Sequence, residues 1–215
     1  MKDIAIFGAG GFGKEVAVMI SRINEKCNGE WNFVGFFDDG KEKGYLASHF
    51  GEVLGGIPEL NQWDKELALA IAVGSTDSLY SIKQRITNDN IYFPNIIDPD
   101  VELSDPESFK IGEGNIIRQG CRMSCDVTIG SFNVMNTDVV AGHDVIIGDY
   151  NIIMPDIRIS GEVVIGTHCL IGVGSIILQR IKIGTGVRLA AGSVLLTKPK
   201  DNSLYMGNPA KRIQF

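Results

Sequence analysis

An apolar side chain returns every sixth residue through the second half of this chain. Counting from Ile111, the steps fall on Ile117, Met123, Ile129, Met135, Ala141, Ile147, Ile153, Ile159, Ile165, Ile171, Ile177, Ile183, Leu189 and Leu195, fifteen positions without a polar residue. With 44% hydrophobic residues overall, such a run arises by chance about once in 200,000. A period of six fits neither the helix at 3.6 nor the lone strand at 2. It is an internal repeat, and a repeat constrains the fold before local propensity does. A second layer lies four residues on: Asn115, Cys121, Val127, Asn133, Val139, Val145, Asn151, Ile157, Val163, Cys169, Ser175, Ile181, Val187 and Ser193. These are mostly small or β-branched, as the inside of a tight coil demands. An Ile-Gly pair recurs every eighteen residues at Ile111-Gly112, Ile129-Gly130, Ile147-Gly148, Ile165-Gly166 and Ile183-Gly184. Three hexads make one triangular turn of three short strands and three corners. The expectation is a parallel β-helix of roughly five coils over about residues 108–198, with these glycines supplying an unusual backbone angle at a corner.

Residues eighteen apart then stack about 4.8 Å from one another along the axis. The column through His143 reads Cys125, His143, Gly161, Gln179. An imidazole beside a residue without a side chain leaves room for a reacting group, and a backbone N–H there can face an oxyanion. His143 is followed by Asp144, a carboxylate able to raise its basicity and fix its tautomer. Of the other two histidines, His49 falls in an irregular stretch and His168 in a corner segment, both expected in solvent.

The first hundred residues read differently. Ile4 to Phe7 is a buried strand, followed by Gly8-Ala9-Gly10-Gly11-Phe12-Gly13 and a helical pattern through Glu15 to Ile23. Strand, G-x-G-x-x-G and helix form the context of a phosphate-binding turn. A second strand, Phe33–Phe37, ends in Asp38-Asp39, placed for hydrogen bonds to a ribose or base. A third, Leu67–Val73, runs into Gly74-Ser75 and a helix over about Ser78–Thr87; Ile91–Ile97 is a last strand before Asp98-Pro99. A dinucleotide dehydrogenase needs about twice this length for its two nucleotide-binding halves. A half-Rossmann domain suits a mononucleotide or a nucleotide-sugar.

Composition narrows the class. The formal charge is −6, against general nucleic-acid binding. From Arg180 onward seven basic residues face the single acid Asp201, a basic end suited to a small polyanion such as a phosphorylated cofactor. No apolar run approaches a membrane span. The N-terminus turns glycine-rich at once, without a signal-peptide cleavage pattern. Cys27, Cys121, Cys125 and Cys169 fit neither a zinc pattern nor a disulfide framework, and no metal is expected. A reduced, cytoplasmic protein is the default.

The hexad pattern resembles that of the hexapeptide-repeat acyltransferases. The ending Met206-Gly207-Asn208-Pro209-Ala210-Lys211-Arg212 resembles that of the wider acyltransferase family. Together with Phe7-Gly8-Ala9-Gly10-Gly11-Phe12-Gly13-Lys14-Glu15, Phe37-Asp38-Asp39, Ala72-Val73-Gly74, Asn136-Thr137 and His143-Asp144, the hexad pattern is similar to the sialic-acid O-acetyltransferase type. That group includes nucleotide-sugar N-acetyltransferases acting on UDP- or GDP-4-amino sugars. The resemblance implies an α/β half-Rossmann domain at 1–98, an all-β left-handed parallel β-helix at 99–198 and a tail at 199–215 capping the acyl-CoA site. It also implies a homotrimer that uses acetyl-CoA to acylate an amine or hydroxyl of a nucleotide-activated or acidic sugar in bacterial surface-glycan biosynthesis.

Carried over by residue, His143 is the general base and Asp144 its partner. Gly8, Gly10, Gly11, Asp38, Asp39, Gly74 and Ser75 bind the nucleotide-sugar. Asn136 and the backbone around Gly161, Gly172, Val173 and Ala191 line the pantetheine arm. Lys198, Lys211 and Arg212 meet the coenzyme A phosphates, a reading that rests on charge. One departure stands out: nine residues after the base, where the amine-acetylating branch carries a second His at the thioester, this chain has Ile152, with Met154 close by. That leaves open another acyl donor, or a non-catalytic nucleotide-sugar-binding scaffold. Amine against hydroxyl, sugar, nucleotide and acyl group are undecided at this level.

Overall fold

A computed structural model describes residues 1–27 and 29–214. The chain divides into two compact units, Met1–Pro99 and Asp100–Phe215.

The first unit is a five-stranded parallel sheet, β1 (Lys2–Phe7), β2 (Trp31–Phe37), β3 (Val53–Gly55), β4 (Leu67–Ile71) and β5 (Ile91–Tyr92), in the order β3-β2-β1-β4-β5. Every residue of β4 is buried, which is why it reads as an unbroken apolar run rather than an alternating one. Helix α1 (Gly11–Lys26) turns Val16, Ala17, Met19, Ile20 and Ile23 inward, a face spaced three and four apart. Arg22 on α1 grips the buried Asp98 through two hydrogen bonds, Nε to Oδ2 at 3.0 Å and Nη2 to Oδ1 at 3.2 Å, fixing the end of the unit to its first helix. Helices α2 (Ile57–Asn61) and α3 (Thr76–Arg85) complete it. β3 and α2 carry too few residues to have shown in the sequence pattern. The expected strand over Ile91–Ile97 is broken into Ile91–Tyr92 and Ile96–Ile97, because Pro94 has no N–H for a ladder.

The second unit is a parallel β-helix. Between Lys110 and Leu195 its two-residue strands pair with one another at an offset of eighteen residues: Arg122–Met123 with Val140–Ala141, Thr128–Ile129 with Ile146–Ile147, Val134–Met135 with Ile152–Ile153. Fourteen of the fifteen hexad residues are buried; Ile111, in the first coil, is partly covered. Strand pairing begins earlier in this unit than expected, its first strand being Glu102–Leu103. At the far end Leu204–Met206 joins Arg188–Leu189 in parallel and pairs antiparallel with Lys211–Ile213, so the tail is a hairpin continuing one face.

The corners correct the expected role of the Ile-Gly glycines. None of Gly112, Gly130, Gly148, Gly166 and Gly184 has a positive φ. They are glycine because the next coil is too close: a Cβ on Gly148 would lie 2.6 Å from Gly166 O, and one on Gly166 2.6 Å from Gly184 O. The left-handed residue comes two positions later, and each corner has its own column of them. These are Gly114, Phe132, Tyr150, His168 and Gly186; Gly120, Asp138, Asp156, Gly174 and Gly192; and Asp126, Asp144, Glu162 and Arg180. His168 is therefore not simply solvated, as its corner position implied. Its ring stacks on Tyr150 at 5.3 Å, and Tyr150 stacks on Phe132 at 5.3 Å.

Candidate active site

The first unit holds a cleft of about 610 Å³ at the carboxyl ends of β1, β2 and β4, lined by Gly8, Asp38, Asp39, Gly74, Ser75 and Arg85 among others. The sheet order reverses between β1 and β4, where open α/β sheets bind ligands. The tight turn after β1, beside the cleft, depends on two glycines. Gly8, at φ +111°, would put a Cβ 2.5 Å from Ala72 O, and any Cβ on Gly13 would overlap the Gly8 carbonyl. Gly13 was not among the expected site residues. Gly10 and Gly11 do not line the cleft; they open α1 in exposed positions, where a Cβ would meet nothing. The α1 N-terminus has no side-chain cap and no acid in its first turn, leaving N–H donors and the positive dipole end available to an anion.

The two aspartates are more constrained than their position in sequence implied. Asp38 accepts from Ala9 N–H and Gly40 N–H, both at 2.8 Å. Asp39 accepts from Ile57 N–H at 2.9 Å and pairs with Arg85 Nη1 at 2.8 Å. They shape the walls of the cleft, and each keeps only its remaining lone pairs for a ligand. Ser75 caps α3 by accepting from Ser78 N–H at 3.3 Å. Ser75, Ser78, Ile82 and Arg85 present one stripe of α3 to the cleft, and that spacing of three and four was visible in the sequence.

In the second unit, His143 Nδ1 and Asp144 Oδ2 are 2.7 Å apart, with the side chains 49% and 58% exposed. Asp144 reaches its neighbour because its own backbone is left-handed, at φ 57°. The space beside Gly161 is not an opening for a reacting group. A Cβ there would overlap His143 Nε2 and sit 2.6 Å from Cε1, so the imidazole itself fills it. Glu162, Gln179 and Arg180 were not among the expected site residues, although steps of eighteen from His143 and Asp144 lead to them. Glu162 accepts from Gln179 Nε2 at 2.8 Å and from Arg180 Nε at 3.0 and 3.1 Å. The Arg180 bonds, then the Gln179 bond, hold the Glu162 carboxyl below its ordinary range, and His143 adds to the effect.

The residues expected along a pantetheine arm fall into two groups. Asn136, Gly172, Val173 and Ala191 share one corner; Gly161 stands with His143 at the next. Asn136 is buried, accepts from Arg118 Nη1 at 3.1 Å and lies 3.9 Å from Met154 Sδ. Ile152 is buried in its strand between Val134 and Leu170. Arg212 borders a groove of about 480 Å³ with Asn202, Ser203 and Leu204; Lys198 and Lys211 are exposed outside it. Among the described residues no group of three His, Cys, Asp or Glu side chains is placed to hold a metal ion, and no helix is long and apolar enough to cross a membrane.

Residues 3–87 match the family model of the PglD N-terminal domain. A search of the curated proteins finds no match to the chain. Among solved structures, the acetyltransferase domain of PglB from Neisseria gonorrhoeae, in complex with acetyl coenzyme A, is 27% identical with a TM-score of 0.88, over 99% of each chain. A His-to-Asn variant of perosamine N-acetyltransferase from Caulobacter crescentus, in complex with CoA and GDP-perosamine, shares the fold at 24% identity and a TM-score of 0.85, over 100% of this chain and 98% of that one. WeeI from Acinetobacter baumannii also shares it, at 24% and 0.86, over 99% and 100%. Residues 3–87 thus carry the PglD N-terminal domain pattern, and the chain from end to end is similar to an acetyltransferase domain solved with acetyl coenzyme A.

Proposed function

We propose that this chain transfers an acetyl group from acetyl-CoA to the amine of a nucleotide-activated sugar. The His143–Asp144 contact carries the reading, set in a β-helix, in a chain that also holds a nucleotide-type cleft and is similar throughout to an acetyltransferase domain solved with acetyl-CoA. With Nδ1 donating to Asp144, Nε2 is the nitrogen that takes a proton from the attacking amine. The carboxylate steadies the imidazolium as it forms. A backbone N–H of the corner at Gly161 offers a donor to the carbonyl oxygen as negative charge develops. The amine adds to the thioester carbon, the C–S bond breaks, and coenzyme A leaves as the thiol with a proton returned by His143.

The nucleotide belongs in the cleft, its phosphates at the uncapped α1 terminus around Gly10 and Gly11, and its nucleoside against Gly8, Asp38, Asp39, Gly74 and Ser75. Asn136, Gly172, Val173 and Ala191 take the pantetheine arm; Lys198, Lys211 and Arg212 take the phosphates of coenzyme A. Within one chain this donor corner and the His143 corner are successive, not shared. A neighbouring copy in a homotrimer would bring them to one thioester, and the exposed apolar Ile176, Leu178 and Leu196 supply surface for such packing. The reaction belongs to the cytoplasm, where acetyl-CoA is available. A second reading, a binding scaffold without turnover, rests on Ile152, which offers no hydrogen bond where the amine branch has a His.

His143→Ala should lower kcat by about 100- to 10,000-fold, with KM for the nucleotide-sugar nearly unchanged. An undiminished kcat would remove His143 from the mechanism.

A further inference from the structure

Taking His143 as the base of that reaction, we propose that Gly161 is its positioning residue: the side chain it lacks is the space in which the imidazole lies, with Nδ1 held on Asp144. The backbone does not require glycine here, because φ at Gly161 is not positive. Nor does the fold. The same column carries Cys125 one coil before His143 and Gln179 one coil after Gly161. Two neighbouring glycines answer to backbone instead: a Cβ on Gly142 would lie 2.8 Å from Gly161 N, and one on Gly172 2.6 Å from Leu189 O. At Gly161 the three nearest atoms are all in the His143 ring.

The stack fixes the rest of the geometry. Glu162 N–H donates to His143 O at 2.8 Å, and Arg180 N–H to Gly161 O at 3.1 Å, so the three coils keep register below the ring. Gln179, the next side chain down the column, turns its amide to Glu162 Oε1 at 2.8 Å and leaves the place beside the imidazole to the imidazole. A methyl at 161 cannot coexist with Nε2 where it stands. The ring must swing by about 1 Å, a displacement that costs on the order of 100-fold when it misplaces a catalytic group. The Ala backbone N–H remains, so any oxyanion donor at this position is unaltered.

Gly161→Ala should therefore lower kcat about 10- to 100-fold with KM for both substrates within about threefold. Two readouts do not depend on turnover. In long-range 1H–15N NMR the native His143 should show the Nδ1–H tautomer, and Gly161→Ala should lose it. In a thermal cycle of native, His143→Ala, Gly161→Ala and double variants, Gly161→Ala should cost about 2–4 °C more with His143 present than with the ring removed. If Gly161→Ala alone does not fold, recovery of folding in the double variant is the same result. Equal shifts in both backgrounds, a native tautomer in Gly161→Ala, or a double variant that fails to recover would overturn the proposal. A native chain that turns nothing over contradicts the proposed function and leaves the cycle and the NMR to decide the role of Gly161.

Discussion

Cys121 and Cys169 sit in the inner layer of the β-helix, and burial pushes both thiols up to about 11, against an ordinary 9. In the unfolded chain they ionise about two units earlier. Between about pH 9 and 11 the unfolded state therefore binds fewer protons than the folded one, and stability should fall with rising pH in that window. A thiol reagent at neutral pH should label Cys27 and Cys125 promptly and reach the other two only on unfolding; four fast thiols would contradict the burial. At this scale the sequence was legible where partners are neighbours. His143 and Asp144 are adjacent, and their contact follows from one left-handed corner. The Arg85–Asp39 pair was not legible, since it depends on where the last turn of α3 lands. That pair, with the backbone bonds to Asp38, is also why two carboxylates placed for a ribose turn out to be largely committed to the cleft wall.

Among elements, the corner that carries Asn115, Asn133 and Asn151 shows how a repeat hides unequal roles. These positions share their layer with valines at Val127, Val139 and Val145, and the period alone treats them alike. In the structure the three amides form a buried ladder. Asn115 Oδ1 accepts from Asn133 N and Nδ2 at 2.9 and 3.0 Å, and Asn133 Oδ1 does the same for Asn151 at 2.9 and 3.0 Å. Asn133→Val keeps an inward shape found in the neighbouring columns but strips the acceptor from two buried donors of Asn151. A loss of about 2–4 kcal/mol in denaturant unfolding is expected. A change within about 0.5 kcal/mol would mean that the ladder is ornament. The Ile-Gly pairs make the complementary point: their spacing was read correctly and their cause was not. Periodicity reports that a side chain is excluded, while only the stacked structure shows that the excluder is the stretch of chain lying against it, the next carbonyl at Gly148 and Gly166.

For the whole molecule, the two units were separable in the sequence because their periods differ. One half alternates strands and helices around a glycine turn; the other repeats every six residues and stacks every eighteen. The tail hairpin lay below that resolution, since each of its strands is shorter than any periodic signal. Function divides along the same line, with a cleft for a nucleotide in the first unit and an imidazole–carboxylate pair in the second. The most direct test of that joint account is coenzyme A release from acetyl-CoA, measured against UDP- and GDP-linked amino sugars and free sialic acid. The account predicts saturable release with a nucleotide-linked amino sugar and little without an acceptor. Release with none of them, while a nucleotide-sugar still raises the melting temperature, would contradict it and leave a binding scaffold in its place.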